Sequence, residues 1–356
     1  MGRKFLQIVA ILAAALAPVA GSAQVQTLET RVLGAMSAPR EAAPADPCAS
    51  GAFTIAEMGW PSAAILAHIH AKVIAAQFQC PVRLVAGDPE ATISSMTTTR
   101  QPALAPEIWA SRHADLWNGA LGAQSVRAAG DTFTGGPLEA WFVPRYVREN
   151  HPGLTTASGL GDYWRVFAAS GAEKGELLSC PSEWACALTT PKMIDAYGLG
   201  ERFAATEPFD RFTLDRTLSD RVTRREPALA YYWQPNGLID RLDLVPLDMG
   251  PFDLGNAQCM ALADCVPFGP SSYAPDTVVI AAAEWVFTDA PRIAAYLGRA
   301  QMPLAEMNRL LNWQAENEAS ADEAATHFIV TRPEIWQDWT GVDEGSEARP
   351  RRGDAP

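Results

Sequence analysis

A carboxylate and a tryptophan stand two residues apart in the stretch Leu138 to Tyr146, LEAWFVPRY. The stretch alternates like a β-strand and stops at Pro144, which has no N–H to continue a ladder. Side chains two apart on a strand point to the same face, so Glu139 and Trp141 are expected to look into one space. The simpler interpretation, with Trp141 in the core and Glu139 in solvent, stays open for an isolated pair.

Further tryptophans occur at the ends of strand-like runs, which favours the first interpretation. In open α/β sheets, ligands bind beyond the carboxyl ends of strands and at helix N-termini. Five tryptophans have such positions: Trp60, Trp109, Trp141, Trp184 and Trp233. The other six lie in helical segments or their flanks, where packing is the expected role: Trp117, Trp164, Trp285, Trp313, Trp336 and Trp339.

Several indole faces around one gap suit a methylated ammonium group. Such a cation cannot donate N–H hydrogen bonds, and each aromatic face that holds it contributes about 0.5–2 kcal/mol, depending on desolvation. Three or four contacts of this kind, less the cost of immobilising the ligand, correspond to an affinity of about micromolar.

The elements that must position these residues alternate between strands and helices. Units of this length predict a parallel sheet with helical crossovers. The first set consists of strands at Phe53–Met58, Val82–Val85 and Pro102–Trp109, with helices at Pro61–Phe78, Asp88–Thr97 and Ser111–Leu121. A second set consists of strands at Glu176–Ser179, Arg202–Ala205 and Pro227–Trp233, with helices starting at Ser182 and Asp210.

Two sets of elements predict two α/β lobes, and about 330 residues exceed what one hydrophobic core usually holds. We expect lobe 1 to comprise residues 48–140 and 236–341, and lobe 2 to comprise residues 141–235. The polar end, residues 342–356, is expected to be a disordered tail.

The first 23 residues have the pattern of a secretory signal peptide. Arg3 and Lys4 precede an apolar run that is broken by Pro18, and small residues follow at Gly21 and Ala23. Cleavage near Ala23 would release a soluble protein into the periplasm. The formal charge would then change from −13 to −15, because the segment holds two basic residues and no acidic one. Such a charge repels nucleic acid and anionic lipid.

Six cysteines in an exported chain predict disulfides. Neighbours in sequence give the pairs Cys48–Cys80, Cys180–Cys186 and Cys259–Cys265, although the sequence alone leaves other pairings open. No cofactor is expected.

A secreted enzyme acting on a methylated amine is the alternative function. However, the chain has no nucleophile-elbow, zinc-protease or phosphate-loop motif. The acids of the loop-rich section, Asp248, Asp253 and Asp264, match no known cation-loop spacing, which leaves a structural calcium as a minor alternative.

Six segments, taken in order, resemble the glycine betaine/choline-type substrate-binding proteins of ABC importers. They are GWPSAAI, PEIWASRHADLW, FVPRYV, CPSEWAC, KMIDAYGL and YYWQP, and the resemblance covers roughly residues 50–340. It implies a periplasmic-binding-protein fold, type II-like, whose two lobes close over a trimethylammonium ligand. It also implies an ABC permease as partner, a monomer, and walls at Trp60 and Trp109 in the first lobe and Trp233 in the second.

Two departures from the family pattern bear on the ligand. Glu139 replaces an aromatic residue at the crossover, and Glu183 and Trp184 stand where betaine binders present small polar groups. A buried Glu139 beside a ligand carboxylate would be a like-charge contact. We therefore predict trimethylamine N-oxide first, choline second and glycine betaine third, and a Glu139 that points into solvent would restore betaine.

Overall fold

The computed structural model describes Cys48, residues 52–136 and residues 138–341. The predicted signal peptide and the predicted tail lie outside these residues. The described chain forms two α/β lobes, each with a five-stranded sheet and its own hydrophobic core. The predicted fold class is therefore confirmed.

The strands alternate with helices as the sequence indicates. They are β1 (Phe53–Met58), β2 (Val82–Gly87), β3 (Leu104–Trp109), β4 (Val126–Asp131), β5 (Phe133–Thr134), β6 (Glu139–Pro144), β7 (Gly175–Leu178), β8 (Phe203–Thr206), β9 (Ala230–Trp233), β10 (Leu244–Pro246), β11 (Val278–Ala283) and β12 (Met302–Pro303).

The helices have the following bounds. They are α1 (Pro61–Phe78), α2 (Pro89–Thr99), α3 (Ala114–Gly122), α4 (Arg145–Asn150), α5 (Ala185–Ala196), α6 (Arg211–Thr223), α7 (Gly237–Arg241), α8 (Leu254–Met260), α9 (Glu284–Asp289), α10 (Pro291–Leu297), α11 (Leu304–Glu316), α12 (Ala321–Thr331) and α13 (Pro333–Thr340). Two segments are 3-10 helices, Ala110–His113 and Ser158–Phe167.

The sheet of lobe 1 has the strand order β2-β1-β3-β11-β4. The first three strands are parallel, whereas β11 runs antiparallel between β3 and β4. All six residues of β11, VVIAAA, are buried, as expected for a central strand covered on both faces. This arrangement brings the carboxyl ends of β1 and β3 to the same edge.

The sheet of lobe 2 has the order β10-β6-β9-β7-β8. Strand β6 runs antiparallel to β9, with Glu139 opposite Trp233 and Trp141 opposite Tyr231. Residues that face each other across such a pair lie on one face of the sheet, so these four side chains share a face.

The division between the lobes differs from the predicted one. Lobe 2 was expected to end at residue 235, but the chain continues from there into α7, and Leu238 and Ile239 are buried in the second core. Met260 is buried in the same core, and Tyr273 packs against it. The chain contributes to lobe 1 again from Val279.

The three disulfides join the cysteines in the predicted pairs. The bonds are Cys48–Cys80, Cys180–Cys186 and Cys259–Cys265. The first connects the start of the described chain to the segment after α1, and the other two each close a loop with a sequence separation of six.

Within the described ranges, no helix combines the length and the apolar character that a membrane span requires. In the same part of the chain, no cluster of three or more His, Cys, Asp or Glu side chains is arranged to hold a metal ion. Two of the loop acids have hydrogen-bonding roles instead, since Asp253 caps α8 and Asp248 accepts a bond from the Gly250 amide.

Candidate functional site

A cavity of about 1010 Å³ lies between the two lobes and is lined from both sides. Lobe 1 contributes Trp60 and Trp109, and lobe 2 contributes Trp184 and Trp233. All four indoles are partly buried. The structure thus brings together four of the five tryptophans that the sequence places at strand ends and helix starts.

These four positions follow from the local structure. Trp60 is the second of two residues between β1 and α1, and Pro61 follows it in the first helical turn. Trp109 ends β3, and Trp233 ends β9. Trp184 precedes the first residue of α5. Each lobe therefore directs strand ends or helix starts at the gap, as open α/β sheets do at their ligand sites.

A buried carboxylate connects the two tryptophans of lobe 1. Glu107 is fully buried in β3, and its Oε1 atom accepts hydrogen bonds from Trp60 Nε1 at 2.7 Å and from Trp109 Nε1 at 2.9 Å. Ser62 Oγ donates to the same oxygen at 3.1 Å. Burial raises the pKa of the Glu107 carboxyl, and the three hydrogen bonds oppose that rise. One side chain therefore fixes the orientation of two cavity walls.

A second carboxylate, Glu139, lies at the start of β6 and lines the same cavity. It accepts a hydrogen bond of 2.9 Å from the Tyr231 hydroxyl. Burial raises the pKa of Glu139, while the bond from Tyr231 and the charge of Arg112 act in the opposite direction. The side chain points into the space between the lobes, as its pairing with Trp233 requires.

Trp141 does not reach this cavity, and its predicted place in the site needs correction. The residue shares a face of the sheet with Glu139, as the spacing indicates, but it is completely buried in the core of lobe 2. Its Nε1 donates to the Tyr273 hydroxyl at 3.1 Å, and its ring lies 5.4 Å from that of Tyr197. The Tyr197 ring and the Tyr273 hydroxyl contact Trp141. The face of the sheet that carries Glu139 and Trp141 therefore continues from the cavity into the core of lobe 2.

The tryptophans of lobe 2 are held by other rings. Trp184 and Trp233 meet edge to face with centroids 5.1 Å apart, and Tyr232 stacks on Trp233 at 4.5 Å. The Tyr232 hydroxyl donates to Asp215 at 2.7 Å. No carboxylate is hydrogen-bonded to either indole nitrogen of this pair among the bonds of the described residues. Contacts between rings therefore hold these two indoles, whereas hydrogen bonds to Glu107 hold the indoles of lobe 1.

Each lobe also places a guanidinium over one indole. The Arg112 guanidinium lies 4.3 Å from the ring centre of Trp109, and Arg211 lies 5.3 Å from that of Trp233. Arg112 is held by Asp276 through bonds of 2.7 and 3.0 Å. Both arginines line the cavity, so the site presents positive as well as negative groups.

A second cavity of about 720 Å³ also lies between the lobes and shares Glu139 with the first. Its lining includes Asp131, Asp248, Asp276 and Arg148, and it contains no tryptophan among the described residues. Among the described residues, the cavity-lining tryptophans therefore all belong to the larger cavity, and Glu139 lines both cavities.

Glu107 and Tyr231 are among the cavity residues that were not predicted from the sequence. Glu107 precedes Trp109 by two residues on a strand, which is the spacing that drew attention to Glu139 and Trp141. The same argument applied to PEIW would have found it. Tyr231, by contrast, offers no signal of its own, because its position depends on the pairing of β6 with β9.

Two lobes with a ligand-sized gap between them define a class, the substrate-binding components of ABC importers. This chain belongs to the family described as the substrate binding domain of ABC-type glycine betaine transport systems, whose model matches residues 52–331. The resemblance seen in the sequence is confirmed. The family consists of extracytoplasmic binding proteins that deliver to a membrane permease, and it is not a family of enzymes.

Two solved structures show the same fold at low sequence identity, and a third is reported beside them. YehZ from Escherichia coli aligns with a TM-score of 0.54 and 16% identity, over 80% of this chain and 99% of that one. A glycine betaine/carnitine/choline ABC transporter protein aligns with a TM-score of 0.53 and 14% identity, over 80% and 99% of the two chains. Lactococcal OpuAC in complex with glycine betaine aligns with a TM-score of 0.47 and 12% identity, over 81% and 98%.

Proposed function

We propose that this protein captures a small trimethylammonium compound between its lobes and delivers it to an ABC permease. The observation that carries the proposal is the meeting of four indoles from two lobes around one cavity whose lining includes the carboxylates of Glu107 and Glu139. Trimethylammonium groups are recognised through aromatic faces and negative charge, because they have no N–H donors. The glycine betaine and choline named for related proteins belong to this ligand class.

The two carboxylates favour a ligand without a carboxylate of its own. Glu107 and Glu139 both line the cavity, and neither points into bulk solvent. A ligand carboxylate beside either would be a like-charge contact unless one group takes up a proton. The hydroxyl of choline can donate a hydrogen bond to Glu139. The oxygen of trimethylamine N-oxide can share a proton with the same carboxylate. The proposed order therefore remains trimethylamine N-oxide, then choline, then glycine betaine.

One observation supports glycine betaine as a second candidate. Arg112 and Arg211 line the same cavity, and a guanidinium is the side chain that best matches a carboxylate. In this arrangement the ammonium group would face Glu107 and the ligand carboxylate would face Arg211. The two candidates differ in which charged groups of the cavity contact the ligand.

Titration calorimetry with the three ligands tests the proposal. We expect at least one of them to bind with about micromolar affinity, in line with three or four cation–π contacts. The Glu139→Gln variant separates the candidates, because it should weaken trimethylamine N-oxide and choline and strengthen glycine betaine. The reverse order would overturn the ranking. If none of the three ligands bound the wild-type protein, the proposed function would be rejected.

The cavity is many times larger than a trimethylammonium group, so we propose that the lobes close around the ligand. Small-angle scattering with and without saturating ligand measures this closure, and a smaller radius of gyration is the expected result. An unchanged radius in the presence of bound ligand would contradict it.

A further inference from the structure

We propose that Glu107 is the specificity-determining charge of the cavity, whose carboxylate acts as counterion to the bound ammonium and so selects a cation over a neutral molecule of the same shape. This inference rests on the proposed function. It assigns the selection to a residue behind the aromatic walls rather than to the walls themselves.

The hydrogen bonds of Glu107 suit an ionised carboxylate. Its Oε1 accepts three donors, Trp60 Nε1, Trp109 Nε1 and Ser62 Oγ, within 2.7–3.1 Å. Hydrogen bonds to a charged oxygen are shorter and stronger than those to a neutral one, so an anion gains most from three donors on one atom. Two of these donors belong to the indoles that form the lobe 1 wall. The negative charge therefore lies at the edge of both rings.

The second carboxylate oxygen provides the independent observation. Glu107 Oε2 is buried and has no hydrogen-bond partner among the described residues, although the side chain lines the cavity. No ion pair of the described residues includes Glu107. A buried charge without a counter-charge is costly, and the raised pKa of this carboxyl has the same cause. A cation held against Trp60 and Trp109 supplies that counter-charge.

Fixing the two indoles does not by itself require a charge. A glutamine has the same shape, and its amide oxygen accepts the same N–H bonds without the desolvation cost of an anion. The hydrogen bonds that orient the two indoles thus explain the shape of the Glu107 side chain but not its charge. Glu139 differs in this respect, because Arg112 already acts on it electrostatically.

Each candidate ligand has a carbon isostere with the same heavy-atom skeleton and no positive charge. These pairs are choline with 3,3-dimethylbutan-1-ol, glycine betaine with 3,3-dimethylbutanoate, and trimethylamine N-oxide with tert-butanol. For every ligand that binds the wild type, the affinities of ligand and isostere are measured for the wild type and for Glu107→Gln. The isostere is measured by competition against the ligand.

We expect Glu107→Gln to weaken the ammonium ligand by about tenfold or more, as for loss of one partner from a desolvated charge pair. The isostere should not weaken by more than about threefold, since its contacts with the rings remain. The thermal midpoint of the ligand-free protein should stay equal or rise, because a buried charge has been removed. Where the isostere is too weak to detect, the fall in ligand affinity relative to the controls is the deciding result.

Two control variants separate a buried charge from charges at the surface. Glu318→Gln removes the same charge from an exposed residue at the cavity rim, and Glu149→Gln removes it from an exposed residue of α4. Each control should change the affinity for the ammonium ligand by less than about threefold, because surface charges are screened by solvent.

Three results would overturn the inference. Equal weakening of ligand and isostere would reduce Glu107 to a residue that positions the rings, and unchanged affinities would remove it from the site. A Glu107→Gln protein that is less stable or does not fold would assign the residue to stability. These results differ from failure of the proposed function, in which the wild type itself binds none of the three ligands.

Discussion

The two halves of the cavity hold their tryptophans by different means. In lobe 1, Trp60 and Trp109 donate to one buried carboxylate oxygen of Glu107. In lobe 2, Trp184 and Trp233 are fixed by contact with each other and with Tyr232. Lobe 1 thus bonds its indoles directly to a buried charge, whereas the cavity carboxylate of lobe 2, Glu139, accepts its hydrogen bond from Tyr231. This difference predicts that removing a tryptophan from lobe 1 and removing one from lobe 2 have unequal effects on ligand binding.

The largest effect is expected when the wall of lobe 1 is removed. The double variant Trp60→Ala, Trp109→Ala should weaken the ammonium ligand by about a hundredfold or more, at roughly tenfold for each ring. It also leaves the carboxylate of Glu107 without its indole donors. Calorimetry measures the loss. The matched variant Trp60→Phe, Trp109→Phe keeps both faces without the N–H groups and should lie between the wild type and the alanine pair. A loss of less than tenfold in the alanine pair would show that these rings are not walls.

The wall of lobe 2 should give a smaller effect. Trp233→Ala should weaken binding by less than about tenfold, because Trp184 remains and no buried charge loses a partner. Isothermal titration of the single variants Trp233→Ala and Trp109→Ala gives the direct comparison between the lobes. If Trp233→Ala costs more than Trp109→Ala, the proposed asymmetry is reversed.

The two cavity glutamates, Glu107 and Glu139, predict that the ligand affinity changes by a few-fold with pH. Burial raises the pKa values of Glu107 and Glu139, and a bound cation favours their ionised forms. The charge of choline does not change with pH. Its affinity should therefore be highest above the raised pKa values of the two carboxyls, and it should fall as the pH drops through them. Titrations from about pH 8 to about pH 5 measure this change. His113 also lines the cavity, so His113→Asn is the control.

The same carboxyl groups make the stability of the ligand-free protein change with pH in the opposite direction to the ligand affinity. A carboxyl whose folded pKa is raised contributes stability below its ordinary value and loses it as the pH rises through the folded value. The ligand-free wild type should therefore lose stability relative to Glu107→Gln between pH 5 and neutrality, as melting curves at about pH 5 and about pH 7 will show. Parallel curves for the two proteins would mean that Glu107 does not change its protonation in this range.

Arg211 should have a small effect that depends on the ligand. Its guanidinium is exposed and lies over Trp233, so Arg211→Gln should change choline affinity by less than about threefold. Glycine betaine affinity should fall further if its carboxylate contacts this arginine. Competition between the two ligands measures the change in preference, and an equal change for both would exclude such a contact.

Trp141 should have the smallest effect on binding of all. Because it lies in the core of lobe 2, Trp141→Phe should lower the free energy of unfolding by about 1–3 kcal/mol and leave the ligand affinity within about threefold. Denaturant unfolding and calorimetry on the same sample separate the two effects. A loss of affinity equal to that of Trp233→Ala would return Trp141 to the site.

The sequence predicts elements well where periodicity and punctuation agree. Strand β1 and helix α1 have the predicted bounds, because a continuous apolar run meets Gly59-Trp60-Pro61 and then helical spacing. Strand β4, VRAAGD, was not predicted, since its composition resembles a loop and only pairing with β11 stabilises it. Elements β10 and α8 were missed in the loop-rich section for the same kind of reason.

The positions of four cavity tryptophans could be predicted from the sequence, but the burial of individual residues could not. Chain order places Trp60, Trp109, Trp184 and Trp233 at strand ends and helix starts, and these positions bring each pair to the edge of its own sheet that faces the gap. Trp141 has the right face, yet only the tertiary packing of Tyr197 and Tyr273 determines that it is core. The carboxylate of Glu107 was visible in the sequence as a spacing, but its three donors come from three separate positions.

The disulfide between Cys180 and Cys186 encloses Trp184 in its loop. Reduction of this bond would release the loop that presents Trp184, while Trp60 and Trp109 have no cysteine beside them and would keep their places. The affinity of the protein would then report the redox state of its surroundings through one side of the cavity. If the four rings bind the ligand as proposed, a copy that had not met an oxidant would hold it with three rings in place of four.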